Sequence, residues 1–138
     1  MSEIKIKLAA GTDVGLVRKN NEDNFVVNRD LSQSEWIIPQ SSETIPLGKY
    51  GTLLVVADGM GGTNAGEVAS AIAIETVQNA FTPEKLENIV TLEDEMVTEE
   101  AIEEFLTKTV KAADLNIVNA SKEDSSTQGM GTTIVIAW

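Results

Sequence analysis

The sequence contains no cysteine, which excludes disulfides, thiolate-bound zinc and every mechanism with a thiolate nucleophile within its 138 residues. Histidine is absent as well, so imidazole is unavailable as base, nucleophile or metal ligand. Any catalysis here must run on carboxylates, hydroxyls, Arg, Lys and a hard metal ion. Positive charge is scarce: 10 Lys and Arg stand against 22 Asp and Glu, for a formal net charge of −12. Such a surface repels nucleic acid and anionic membranes, and neither is expected as a partner. A divalent cation, which seeks oxygen ligands of the Asp and Glu type, is attracted instead. No apolar run approaches the roughly 20 residues needed to span a bilayer. Met1–Lys5 also lacks the charged-then-apolar layout of a secretory signal, so a cytoplasmic location is the default expectation.

What is present describes a globular chain, with 42% of residues hydrophobic and 23% charged. Its length fits one folded unit, and residues 1–138 are read as part of a single domain. Glu3–Leu8 alternates charged and apolar residues with period two, the pattern of a half-buried strand. Asp23–Val27 is expected as a second strand and Trp36–Ile38 as a third, ended by Pro39. Ser32–Leu47 is polar and carries two prolines, as an exposed turn or hairpin does. Gly51–Ala57 is a continuous apolar run, as for a strand covered on both faces, and it stops at Asp58-Gly59-Met60-Gly61-Gly62.

From Gly66 the period changes. Val68, Ala69, Ile72, Ala73, Thr76, Val77 and Ala80 fall three and four apart, which predicts a core-facing helix through about Phe81. Glu84–Glu100 is acidic and weakly patterned, and reads as a solvated connection with room for a helical turn. A second stripe, Ile102, Phe105, Leu106, Thr109, Val110, Ala113, Ile117 and Ala120, predicts a long helix from about Thr98 to Lys122, packed beside the first. Thr132–Trp138 reads as a buried strand. It runs into the final residue without a turn, so truncation inside a larger sheet is expected, with an open strand edge inviting self-association.

Three segments carry chemistry: Arg18-Lys19-Asn20-Asn21-Glu22-Asp23, Val56-Ala57-Asp58-Gly59-Met60-Gly61-Gly62 and Gly129-Met130-Gly131-Thr132-Thr133. A carboxylate delivered by a buried strand into glycine-rich backbone can meet a cation at close range, and the Gly59 carbonyl becomes a candidate ligand beside Asp58. An isolated Asp-Gly more often ends a turn. Glu22 and Asp23 open a strand, where alternation sends them to opposite faces. Taken alone, Asn20–Asp23 reads as a solvated turn. Arg18 offers a planar fork of donors suited to a phosphate dianion, although surface arginines commonly just pair with an acid. Gly131-Thr132-Thr133 is read as structural, Lys19 as surface, and Met60 and Met130 as packing residues, since hard ions reject thioethers. A nucleotide cradle of the Gly-rich type is not expected: no Gly-Lys-Ser/Thr follows the glycines and the Gly-x-Gly-x-x-Gly spacing fails at Asn64.

The order and spacing of these motifs resemble the N-terminal half of the PP2C (PPM) family of metal-dependent serine/threonine protein phosphatases, and GTDVGLVRKNNEDNF and LLVVADGMGGTNAGE resemble its bacterial branch. The resemblance implies an α+β fold, part of a two-sheet antiparallel β-sandwich flanked by helices. It implies that Asp58 bridges two Mn²⁺ or Mg²⁺ ions, that the Gly59 carbonyl binds one of them, and that Glu22 and Asp23 act near the metals largely through water. It implies that Arg18 binds the substrate phosphate of a phosphorylated protein. Two departures stand out. Met60 occupies the place where some eukaryotic relatives carry a histidine, and the family's later metal-binding Asp motifs do not occur in these residues. The 138-residue chain alone is therefore expected to be inactive or nearly so. The alternative is a catalytically inactive phosphatase-like module that binds or regulates a phosphorylated partner.

Overall fold

A computed structural model of the chain describes residues 4–61, 65–90 and 99–138. In chain order the strands are β1 (Lys5–Leu8), β2 (Asp23–Asn28), β3 (Trp36–Ile37), β4 (Glu43–Pro46) and β5 (Leu53–Met60). Helices α1 (Ala65–Ala80), α2 (Pro83–Val90) and α3 (Glu99–Glu123) follow, then a short 3₁₀ turn (Ser125–Thr127) and strands β6 (Gly131–Thr132) and β7 (Val135–Ala137). All strand pairs are antiparallel. The larger sheet runs β3-β2-β5-β6 with β7 also paired to β5, and β1 with β4 forms a second, two-stranded sheet. This is the α+β arrangement expected, with helices on one side of the larger sheet. No helix among the described residues is long and apolar enough to cross a membrane.

Strand alternation sorts β5 into two rows. Leu53, Val55 and Ala57 are fully buried, and with Val26 they form the main core against Ala65, Ala69, Ala73 and Val77 of α1. The small alanines let the helix lie close to the sheet. Leu54, Val56 and Asp58 face the other way. There the second sheet covers only one end, where Leu8 and Ile45 pack on Val27 with Leu54 at their margin. Arg29 at the end of β2 forks onto Glu43 of β4 at 2.9–3.2 Å and ties the two sheets together.

Several expectations need correction. The run Gly51–Ala57 is not covered on both faces: Val56 is 52% exposed, and the strand continues through Asp58 to Met60. An unbroken apolar run hides which row is open, because no polar residue marks the alternation. The acidic stretch after Pro83 holds a two-turn helix, α2, whose Leu86 is fully buried. Pro83 sits at its first position, where the missing N–H costs nothing, and Leu86, Ile89 and Val90 give a short apolar stripe among the charges. Glu93-Asp94-Glu95, expected to be solvated, lie outside the described residues. Within Ser32–Leu47 the strand expected at Trp36 is present as β3, and a further strand, β4, that the sequence reading did not single out pairs with β1.

The last strand is neither continuous nor wholly buried. Val135 is 65% exposed, and the ladder is interrupted between Thr132 and Val135 while keeping one register, with Gly59 opposite Thr132 and Val56 opposite Val135. The cause is local. The Thr133 N–H donates to the Asp58 carbonyl at 2.8 Å, but the Asp58 N–H turns to the Thr133 hydroxyl at 3.3 Å, and the Thr133 carbonyl accepts from the Thr132 hydroxyl. Helices α1 and α3 pack side by side as expected, linked by an Asn116 Nδ2 to Thr76 Oγ1 bond of 3.0 Å. Trp138 closes the far end. Its ring meets Phe81 and Phe105 at centroid distances of 5.3 and 6.0 Å, and its Nε1 donates to the Tyr50 carbonyl at 2.8 Å.

Candidate active site

The register of β2 on β5 places Asp23 directly opposite Asp58, on the open face of the larger sheet. Desolvation first, then the closeness of the Asp58 carboxylate and the charge of Glu22, raise the pKa of Asp23 above the ordinary carboxylate value. Like charges placed in register this way are offset either by a proton or by a cation.

Glu22, one residue earlier, lies on the other side, as alternation requires. Its backbone carbonyl accepts the Gly59 N–H at 3.2 Å, and its carboxyl carbon would stand 2.9 Å from a Cβ added to Gly66. Gly59 and Gly66 are back to back where the start of α1 crosses β5. A Cβ on Gly59 would collide with the Gly66 carbonyl and stand 2.6 Å from the Glu22 carbonyl oxygen. The glycine is required here by space rather than by a left-handed backbone. In an extended residue the carbonyl points to the same edge as the N–H, so that of Gly59 faces β2.

Arg18 reaches this group from the loop between β1 and β2. Its guanidinium lies 3.3 Å from Glu22 Oε2, and its side chain is 70% exposed. Arg18, Glu22, Asp23, Asp58 and Gly59 all line one polar cavity of about 200 Å³, so the structure brings every sequence-predicted site residue together. A larger apolar cavity of about 350 Å³, lined by Ala9, Ala10, Phe25 and Val56, adjoins it at Asp23.

Sequence reasoning missed four residues. Asp13 lines the polar cavity, its carboxylate accepting the Gly15 N–H at 2.7 Å in a tight turn with Gly15 at φ 74°. The Asp-x-Gly spacing signals that turn. Asn21 bridges the loop to β2: its Nδ2 donates to Thr12 Oγ1 at 2.7 Å, and its Oδ1 accepts the Asp23 N–H at 3.0 Å. Thr12 carries no local signal, because its partner is distant in sequence. Thr133, read only as structure, holds the backbone of Asp58.

The donors are all oxygen, the set a hard divalent cation prefers, and the facing pair Asp23 and Asp58 gives such an ion its attraction. Among the described residues no three carboxylates converge closely enough to hold a metal. The residues thus fit part of a metal site, built from two facing carboxylates with Glu22 and the Gly59 carbonyl behind them.

Facing antiparallel sheets, helices against the larger one and a carboxylate pair beside an arginine define a phosphatase-like α+β protein. A family model described as Protein phosphatase 2C matches residues 46–138, well over half of the sequence, and the chain belongs to that family. It is similar to the serine/threonine phosphatase stp of Listeria monocytogenes serotype 4b (strain F2365), 32% identical over 126 residues that cover 91% of this chain. The corresponding stp of Listeria innocua serovar 6a is 31% identical over the same length. The chain spans 40% of the length of these curated relatives.

Proposed function

We propose that these residues are the N-terminal portion of one catalytic domain that hydrolyses phosphoserine and phosphothreonine in proteins. The observation that carries this reading is the Asp23–Asp58 pair, opposed across β2 and β5 in the same cavity as Arg18. Asp58 and Asp23, with Glu22 and the Gly59 carbonyl, hold two divalent ions, Mn²⁺ or Mg²⁺. When bound, such ions lower the pKa of water and neutralise phosphoryl charge during in-line attack. Arg18 leaves Glu22 and forks onto the phosphate, fixing it beside the carboxylates; a bidentate guanidinium suits that task as Lys does not. Thr133 keeps Asp58 at its post through both backbone bonds. Met60, on the same strand row as Asp58, offers no proton, so the leaving oxygen is protonated from water or from another part of the protein. The reading places the protein in the cytoplasm, with phosphorylated proteins as its partners.

The test is an assay of the complete phosphatase and of the 138-residue chain on a phosphoserine peptide with Mn²⁺. The complete protein turns over, Asp58→Asn lowers kcat by about 1000-fold, roughly 4 kcal/mol of barrier, and the short chain is inactive. Full turnover by Asp58→Asn, or by the short chain, overturns the scheme. A second reading, a binding module without turnover, draws on the lack of a three-carboxylate cluster among the described residues. It requires phosphopeptide binding with no hydrolysis under the same conditions. The short chain is also proposed to self-associate through β7, whose one ladder partner among the described residues is β5; a monomer by sedimentation at all concentrations removes that point.

A further inference from the structure

The loop that carries Arg18 has little packing to hold it. Leu16 and Val17 are 105% and 92% exposed, so apolar burial does not fix its position. The Arg18–Glu22 contact engages one guanidinium nitrogen of a side chain that is 70% exposed, so it fixes the loop only weakly. A tie that does not depend on Arg18 is made by the amide of Asn21. Its oxygen takes the Asp23 N–H and its nitrogen donates to Thr12 Oγ1, nine residues back along the chain. Both ends of the amide are therefore committed, and the orientation is settled: a flipped amide would set a donor against the Asp23 N–H. One end grips the residue that faces Asp58, and the other closes the loop on which Arg18 lies.

We infer that Asn21, acting through Thr12, is a positioning residue that holds the Arg18 loop in register with the Asp23–Asp58 pair, and so sets the affinity for the substrate phosphate. This rests on the phosphatase reading above. It assigns the pair to phosphate capture rather than to turnover. Thr12 is the better handle for a test, because it is exposed and Val replaces it at nearly equal volume.

In the complete phosphatase, Thr12→Val raises KM for a phosphoserine peptide and Ki for inorganic phosphate together, by about three- to tenfold, the worth of one hydrogen bond. Its kcat stays within about twofold and its thermal midpoint is unchanged, while Thr12→Ser, which keeps the hydroxyl, restores wild-type values. Asn21→Ala raises KM at least as much, and adding Thr12→Val to it changes nothing further, as expected of one coupled pair. Unchanged KM and Ki in Thr12→Val overturn the inference. So does equal impairment of Thr12→Ser, or a fall in kcat and midpoint at constant KM, which marks a merely structural bond. A wild-type protein that is inactive on the peptide sinks the phosphatase reading instead. The same variants are then read by phosphopeptide titration, where an unchanged Kd in Thr12→Val overturns the positioning role.

Discussion

The two rows of β5 are one residue out of step and have opposite fates. Leu53, Val55 and Ala57 are sealed under α1, and Gly59 continues that row into a contact with Gly66 so close that neither residue can carry a side chain. The alternate row is half-covered at Leu54 and open at Val56, Asp58 and Met60. One row supplies cohesion and the other presents the carboxylate of the candidate site. Free energy of burial accumulates where no reacting group stands, so the carboxylates can be crowded together without the fold depending on them.

Substitutions along the strand test this division. The largest loss of stability is expected for Gly59→Ala, because the added methyl meets the backbone of Gly66 and Glu22 rather than a side chain that could swing away. Overpacking of this kind costs about 3 kcal/mol, to be read from the midpoint of urea denaturation; a loss under about 1 kcal/mol, within the range of a relaxed site, would show that α1 can slide off the strand. Val55→Ala comes next, at about 2 kcal/mol for a buried pair of methyls with a residual cavity. Its neighbour Val56→Ala is the matched control and should cost no more than about 0.5 kcal/mol. Equal losses at 55 and 56 would break the comparison outright. The smallest effect is predicted for Asp58→Asn, within about 0.5 kcal/mol of wild type by the same measurement. This is the substitution expected to abolish turnover. Should it unfold the protein, the carboxylate belongs to the structural row after all.

Much of this arrangement could be read before any coordinates. The change from period two to period 3.6 after Gly66 marked the strand-to-helix switch, and α1 and α3 fall within a residue or so of where the stripes put them. Arg18, Asp58 and Gly59 stand out by residue chemistry, Glu22 and Asp23 only through the resemblance to the PP2C family, and all five line one cavity. The rest was hidden for identifiable reasons. Leu86 was masked by the charges around it, since a two-turn helix has room for one short stripe. Which row of β5 is open could not be read from an all-apolar run. The tie between Asn21 and Thr12 joins residues with no shared periodicity, and the break in the last strand depends on where one hydroxyl, that of Thr133, turns. Side-chain hydrogen bonds across loops leave no repeating mark in a sequence.

The exposed strip formed by Val56 and Val135 lies immediately beside the facing carboxylates. Anything that comes to rest on it works as electrical insulation. Displacing water there, so that the effective dielectric falls from about 80 toward about 20, multiplies the Coulomb energy of a given charge pair about fourfold. In the scheme proposed above, the hold of Asp23 and Asp58 on a cation is then sensitive to a greasy surface that touches no ion, and a change confined to Val56 or Val135 is expected to alter metal affinity without altering a single ligand.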